Sequence, residues 1–381
     1  MNKYILLALA VLLSGTGLQA QDINYPKGQF PYENPYAFGL DLSFVLQAEQ
    51  RGATFYDIDG TEKSPWRIFR EHGFNWARLM ICNEPSSLGQ DLAYVQKGAL
   101  KLKEHGYHFI LDIMMSDGWS NPMTQPTPSS MAGMTHDQRV DAFYNYVSRV
   151  ISALKAQGTV PEIVQVGNEI SNGAFWPDGR VFYGEEKRER SHWKEFTDYI
   201  KAGARAIREV APETQIMLHF DFGGDLEMSD LFFGRMRRHK VDYDVIGFSF
   251  YPWSHGTLMD LRDNLFYTIR KYGKPLYVVE TGYYSEPSDY FEKKGLKGAF
   301  PETPEGQKKW LQAVNEIVMS APDNLGRGVF WWEPMFRGRG FFDGRTRQAK
   351  PVVEAFEPFA LPAIRPDGNP RVWDFEGDEQ P

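Results

Sequence analysis

Two glutamates stand just past short apolar runs: Glu169 follows 163–166 through Gly167 and Asn168, and Glu280 follows 276–279 and precedes Thr281. Paired carboxylates serve chemistry such as glycosidic cleavage, in which one protonates a leaving oxygen and the other works from the opposite side of the anomeric carbon. At a separation of about 5–5.5 Å the second attacks directly and configuration is retained. Burial beside a like charge would raise one of the two pKa values into a useful range. The same side chains could instead be ion-pair partners of Arg78, and the pair alone does not choose. Other apolar runs also end in groups that a core would not tolerate: Ala77-Arg78, Leu111-Asp112, Ser249-Phe250-Tyr251 and Trp331-Trp332-Glu333. Asn168 carries an amide able to bond a sugar 2-hydroxyl and to strengthen that bond at the transition state.

Metal and cofactor chemistry finds little footing. The 8 His show no His-x-His or His-x3-His spacing, and Cys82 is the only cysteine, so no zinc site is expected. Asp57-Ile58-Asp59-Gly60 lacks the later acidic ligand of a calcium loop and reads as an Asp-Gly turn. No glycine loop of the kind that cradles phosphate follows the last two apolar runs. Cys82 reads as a small buried hydrophobe, since no Cys-His pattern activates it.

Elements that could position such residues recur along the chain. Three times a helix-like stretch ends in charged residues and a glycine before an apolar run: Arg70-Glu71-His72-Gly73, Lys103-Glu104-His105-Gly106 and Arg270-Lys271-Tyr272-Gly273. Glycine after a helix takes the left-handed conformation without a Cβ penalty, and cations suit the negative end of the helix dipole. Leu92, Val95, Ala99 and Leu102 share one helical face, as do Val140, Phe143, Tyr144, Val147, Val150, Ile151 and Leu154. Thr135-x-x-Gln138 is a capping-box pattern, and Thr303-Pro304 starts a helix expected to reach about residue 320. Eight apolar runs read as strands: 38–42, 76–80, 109–113, 163–166, 215–220, 245–250, 276–279 and 328–331. Eight alternations of strand and helix, with no Gly-x-Gly-x-x-Gly, predict a single (β/α)8 barrel with its site at the C-terminal strand ends.

Bulk properties bound the partners. The first 20 residues carry Lys3, an apolar run to Leu13 and a small-residue end at Leu18-Gln19-Ala20, which reads as a cleavable export signal and is too short to span a bilayer. Periplasm, cell surface and medium all fit it. Residues 21–360 are expected to form the barrel. Residues 361–381, rich in Pro, Gly and acidic side chains, form a surface strap or an end. A formal net charge of −8 argues against nucleic acid or an anionic membrane as partner. The 10 Trp and 19 Tyr suit the apolar faces of sugars, though aromatics also fill cores. One cysteine excludes an intramolecular disulfide, and a monomer is expected.

The motifs taken together resemble glycoside hydrolase family 53, the endo-β-1,4-galactanases, in order from residue 37 to about 359. The matching strings are Leu40-Asp41-Leu42-Ser43, Trp76-Ala77-Arg78-Leu79, Leu111-Asp112 with Ser116-Asp117-x-Trp119, Gly167-Asn168-Glu169-Ile170, Phe248-Ser249-Phe250-Tyr251-Pro252-x-x-His255-Gly256-Thr257-Leu258 and Val279-Glu280-Thr281-Gly282-Tyr283. The resemblance implies Glu169 as general acid/base, Glu280 as nucleophile and internal β-1,4 bonds of neutral galactan as substrate. It further implies Arg78, Asn168, Tyr251, His255 and Trp332 around the −1 sugar, with Asp112 and Trp119 on the same barrel face. A sibling retaining glycanase acting on mannan or xylan, and a non-catalytic sugar-binding barrel, are the alternatives; the presence of both carboxylates argues against the latter.

Three departures from the family pattern stand out. Met114-Met115 occupies the place of a usual His-Tyr, so one polar substrate contact is expected to be missing. Asn121 replaces an Asp before Pro122. The stretch 333–350, which in some bacterial members is a long loop with calcium and a disulfide, is short and rich in Arg, with Arg337, Arg339, Arg345 and Arg347 and no Cys.

Overall fold

The computed structural model describes residues 36–183 and 192–356. The expected export signal and the expected C-terminal strap lie outside the described residues. Each apolar run named above becomes a parallel strand: β1 (Ala37–Asp41), β2 (Trp76–Ile81), β3 (His108–Ile113), β4 (Ile163–Val166), β5 (Gln215–Phe220), β6 (Val245–Phe250), β7 (Leu276–Thr281) and β8 (Gly326–Trp331). They close into a barrel in which each strand pairs with the next and β8 returns to β1. The expected (β/α)8 architecture is therefore the one observed. The boundary difference that bears on the site is at β7, which continues through Glu280 and Thr281 instead of ending at Val279.

Helices pack outside: α1 (Pro65–Glu71), α2 (Leu92–His105), α3 (His136–Ala156), α4 (Trp193–Val210), α5 (Leu226–Arg238), α6 (Leu258–Tyr272) and α7 (Pro304–Met319). Their ends follow the sequence signals. Thr135 and Gln138 form the reciprocal capping box of α3, and Thr303 caps α7 ahead of its first-turn proline. Gly106 and Gly273 end α2 and α6 with φ of 71° and 63°, where a Cβ would be strained. Among the described residues after β8 the one helical element is a short 3-10 turn, Pro351–Glu354, held to α7 by Lys308 on Glu354 at 3.4 Å and by the Gln312 amide on the Ala355 carbonyl at 3.0 Å.

The inside of the barrel divides into two layers, and this division positions the site. Side chains alternate in and out along a strand. One inward set is apolar: Ala37, Trp76, Ile110, Ile163, Met217, Val245, Tyr277, Val279 and Phe330 pack as a cluster of their own, separate from the core beneath the helices. Further along the first six strands, two residues on from these positions on β2 to β5 and four on β1 and β6, past Gly39 and Gly247, the inward positions turn polar: Asp41, Arg78, Asp112, Gln165, His219 and Ser249. On β7 the alternation breaks. Phe248 pairs with Val278 but Ser249 pairs with Glu280, so one residue is inserted and Glu280 follows Val279 onto the inner face. This irregularity, of the kind that re-aims side chains near active sites, delivers the second glutamate to the lumen.

The apolar layer is filled to contact. A Cβ built on Gly39 would lie 2.3 Å from Phe330 Cδ1, and the Phe330 ring is itself flanked by Trp76 and Tyr277. Gly39→Ala is expected to lower stability by about 1–3 kcal/mol through overpacking, and Phe330→Leu in the same chain should recover part of it. Urea unfolding checks both; an unchanged midpoint in the single variant would mean the layer is looser than described.

Candidate active site

Arg78 organises the polar layer. Its guanidinium is fully buried and reaches four acceptors: Nη1 donates to Asp41 Oδ2 at 2.8 Å, while Nη2 lies 2.8 Å from Asp112 Oδ2, 2.7 Å from Asn168 Oδ1 and 3.0 Å from Glu280 Oε1. Three carboxylates around one guanidinium cannot all be anions at low cost. Burial and the neighbouring negative charges push Asp112 up to about 7, against the pull of Arg78. Glu333 rises to about 8 through burial and the charge of Asp41.

The structure brings Glu169 and Glu280 to the same lumen in unlike surroundings. Glu280 accepts from the Tyr251 hydroxyl at 3.1 Å as well as pairing with Arg78. Burial raises its pKa, and the guanidinium and the phenol pull it back. Glu169 has no cation in contact among the described residues. Its Oε1 accepts from Ser249 Oγ at 2.7 Å, and burial together with the charges of Glu280 and Asp221 drives its pKa well above the ordinary carboxyl value. Asp221, at the end of β5, is itself pushed up to about 7 by burial.

Local backbone sets the direction of Glu169. The chain leaves β4 through Gly167 at φ 90° and holds Glu169 in the left-handed region at φ 48°, ψ 56°. That conformation costs a non-glycine residue roughly 1 kcal/mol or more. The turn is held by the Gln125 amide, which donates to the Asn168 and Glu169 carbonyls at 2.8 and 3.2 Å. Asn168 is fixed at both ends, accepting from Arg78 and donating to the Ser120 carbonyl at 2.8 Å. One Nδ2 proton remains for an outside acceptor.

Rings form the rim. Trp119, 40% exposed, stacks on Phe44 at 5.7 Å and meets Trp332 edge-on at 5.8 Å. Arg339 places its guanidinium carbon 4.5 Å from the Trp332 ring centre and 5.7 Å from that of Tyr251. His255 accepts the Tyr251 backbone N–H through Nδ1 at 3.0 Å, and burial lowers its pKa to about 4, so it stays neutral with Nε2 protonated.

Two placements differ from expectation. Arg78 and Asp112 are wholly enclosed, with Asp112 Oδ1 taken by Gln165 Nε2 at 2.5 Å and Oδ2 by Arg78. They stand behind Glu280 and Asn168 instead of on the cleft wall, because each is paired within the polar layer. Tyr251 touches Glu280, Asn168 precedes Glu169 and His255 packs on Tyr251, while Trp119 and Trp332 meet each other at the rim. Met114 and Met115 are buried, the former against Met80 and Cys82 with Phe44 alongside, so this departure from the family pattern fills apolar space just past the ends of β2 and β3. The Cys82 thiol, pushed up to about 12 by burial, is inert. The Asp57 carboxylate is occupied by Lys63 at 2.6 Å and His72 at 2.7 Å. Among the described residues no cluster of three or more His, Cys, Asp or Glu is placed to hold a metal ion.

The sequence left four residues of the site without a role: Asp41 and Ser249, which stand at or near the ends of apolar runs, and His219 and Asp221. His219 Nε2 lies 2.8 Å from Ser249 Oγ and its Nδ1 lies 3.1 Å from Asn168 Oδ1. For His219 and Asp221 the detectable clue is spacing: Met217, His219 and Asp221 alternate along β5 and one step past its end, and two polar residues there are unusual for a buried strand.

The family model for glycosyl hydrolase family 53 matches residues 37–360. An uncharacterized protein of Niallia circulans is 37% identical over 309 residues, covering 79% of this chain and 84% of that protein. An arabinogalactan endo-β-1,4-galactanase of Cellvibrio japonicus is 29% identical over 348 residues, covering 88% and 87%. Among solved structures, the family 53 catalytic domain of Ignisphaera aggregans superposes with a TM-score of 0.76 at 26% identity, over 89% of this chain and 96% of that one.

Arg78→Met strips the counter-ion from Asp41, Asp112 and Glu280, and an unpaired buried charge costs about 3–5 kcal/mol. Urea unfolding at pH 8 should read that loss. The gap should narrow as pH falls toward 4, since the orphaned carboxylates can then take protons. In the wild type, Asp112 and Asp221 near 7 and Glu333 near 8 hold protons that the unfolded chain releases near pH 4. Their contribution to stability is therefore present at acidic pH and lost as pH rises through about 7–8. A gap that stays constant from pH 4 to 8 would contradict this picture of the layer.

Proposed function

The chain belongs to glycosyl hydrolase family 53, and on that premise we propose that it is an endo-β-1,4-galactanase that cleaves internal bonds of β-1,4-galactan by double displacement. The carrying observation is the unequal treatment of the two glutamates. Glu280 is held by a guanidinium at 3.0 Å and a phenol at 3.1 Å, which favours its anion. Among the described residues Glu169 has one hydroxyl donor, and it faces the charge of Glu280, which favours its protonated form. Two carboxyl groups with pKa values pushed apart divide naturally into nucleophile and acid.

In the first step a Glu280 oxygen attacks the anomeric carbon while the Glu169 proton passes to the departing glycosidic oxygen. The products of that step are a galactosyl ester on Glu280 and a free chain end. In the second, Glu169, now a carboxylate, takes a proton from water as the water oxygen attacks the same carbon. The ester bond breaks, Glu280 leaves as a carboxylate, and configuration is retained. The free Nδ2 proton of Asn168 suits the 2-hydroxyl of the sugar at this carbon. Trp119 and Trp332 offer ring faces and edges to neutral sugars, in keeping with an uncharged polysaccharide. The N-terminal apolar run supports export and action outside the cytoplasm, and a single closed barrel suits a monomer.

Reducing-end release from β-1,4-galactan, with mannan and xylan alongside, tests the reading. Glu169→Gln and Glu280→Gln should each lower turnover on galactan by at least ~10³-fold. Preference for mannan or xylan would transfer the same mechanism to another polymer, and activity on none of the three would overturn the proposal. The rate against pH should be bell-shaped, with the acid limb set by Glu280 and the basic limb by Glu169. Tyr251→Phe removes a donor to the Glu280 anion, raises its pKa, and should move the acid limb to higher pH while leaving the basic limb nearly in place.

A further inference from the structure

We infer that Ser249 and His219 are positioning residues that keep the proton of Glu169 on Oε2, the oxygen open to the cleft. This deepens the proposed function and rests on Glu169 being the acid/base. The two Glu169 oxygens are unlike: Oε1 accepts from Ser249 Oγ at 2.7 Å, whereas Oε2 has no partner among the described residues and is not enclosed.

The direction of the chain follows from counting protons. A serine hydroxyl has one proton, so if it goes to Oε1, the Ser249 oxygen is free to accept from His219 Nε2–H at 2.8 Å. The imidazole then has a bare Nδ1, and the Glu169 backbone N–H donates to it at 3.3 Å. The opposite tautomer would send Nδ1–H toward Asn168 Oδ1 at 3.1 Å and point two donors at each other, Nδ1–H and the Glu169 N–H. Asn168 Oδ1 already accepts from Arg78 at 2.7 Å, so it does not need that proton.

A doubly protonated ring is suppressed as well. His219 is fully buried, and burial, Arg78 on β2 and His255 beyond β6 all lower its pKa. The groups facing Glu169 are Glu280 on β7, Asp221 after β5, Arg78 and Ser249, and none but Ser249 donates to Oε1. With Oε1 a fixed acceptor, the neutral acid carries its proton on Oε2. After donation the carboxylate keeps the same Ser249 bond, and the next proton, taken from water, returns to Oε2. Neither step requires the carboxyl group to turn over or the imidazole to change tautomer.

The test uses galactan beside a dinitrophenyl β-galactobioside, whose leaving group departs without a proton. Ser249→Ala should lose about tenfold in kcat/KM on galactan and little on the aryl substrate. Its basic limb should move to higher pH, because the Glu169 anion has lost a donor. Ser249→Thr should restore the galactan rate, and His219→Gln, which keeps a donor and an acceptor, should retain more activity than His219→Leu. In wild-type protein carrying 15N-histidine, with His219→Gln for assignment, the His219 proton should sit on Nε2 on both sides of the Glu169 titration. An Nδ1–H tautomer in either state, or equal losses on both substrates in Ser249→Ala, overturns the inference. Glu169→Ala separates the two claims: if it slows both substrates alike, the acid assignment falls and this inference with it. If Glu169→Ala spares the aryl substrate and Ser249→Ala does not, only the positioning role falls.

Discussion

One buried guanidinium holds the upper half of this barrel together. Arg78 is buried away from solvent, and its Nε has no hydrogen-bond partner among the described residues. Its terminal nitrogens must satisfy Asp41, Asp112, Asn168 and Glu280 at once, which fixes β1, β2, β3, β4 and β7 relative to one another at the level of the chemistry. A lysine could not do this, because a single ammonium lacks the planar fork that spans acceptors on separate strands. The oxygens of Asp41 and Asp112 are also tied elsewhere, to the Ser43 N–H and to Gln165, so Arg78 is aimed by partners that cannot easily swing away.

From that constraint the division of labour between the glutamates follows. Whichever carboxylate touches Arg78 is the easier one to ionise; the other feels the resulting negative charge and becomes harder to ionise. Two backbone departures decide which is which. The inserted residue on β7 turns Glu280 inward beside Ser249, and the left-handed turn after β4 carries Glu169 above Asn168. Had β7 kept strict alternation, Glu280 would point at the helices, where Thr281 now accepts from the Trp310 indole at 3.0 Å.

How much of this was legible beforehand depended on range. The strands were readable because an inward or outward apolar position is a local property, and the glutamates were readable because they terminate apolar runs. The capping box of α3 and the glycines ending α2 and α6 appeared where local chemistry put them. The β7 insertion was not readable: the stretch from Tyr277 to Thr281 looks the same with or without it, and only pairing with β6 reveals it. Arg78 and Asp112 were recognisable as unusual, but their enclosure depends on Asp41 and Gln165, which lie on other strands. His219 was hidden for a similar reason, and Ser249, though it stood out near the end of an apolar run, showed no partner. A serine and a histidine in apolar strands are ordinary until the fold sets them 2.8 Å apart beneath Glu169.

The polar layer is an energetic burden that the rest of the molecule must carry. At neutral pH, Asp112 and Asp221 near 7 and Glu333 near 8 are held partly protonated by their surroundings, and each such shift is free energy spent against folding. The barrel offsets it below and outside the site, in the closely filled layer around Trp76, Tyr277 and Phe330 and in the larger core beneath the helices. The closeness of that packing has a mechanical consequence. Because Gly39 and Gly247 give their Cβ space to Phe330 and to Met217, the strands cannot shift to relax the crowded carboxylates above them. The charges therefore stay close enough to perturb one another, and the rigidity of the apolar layer is what preserves the unequal pKa values on which an acid and a nucleophile depend.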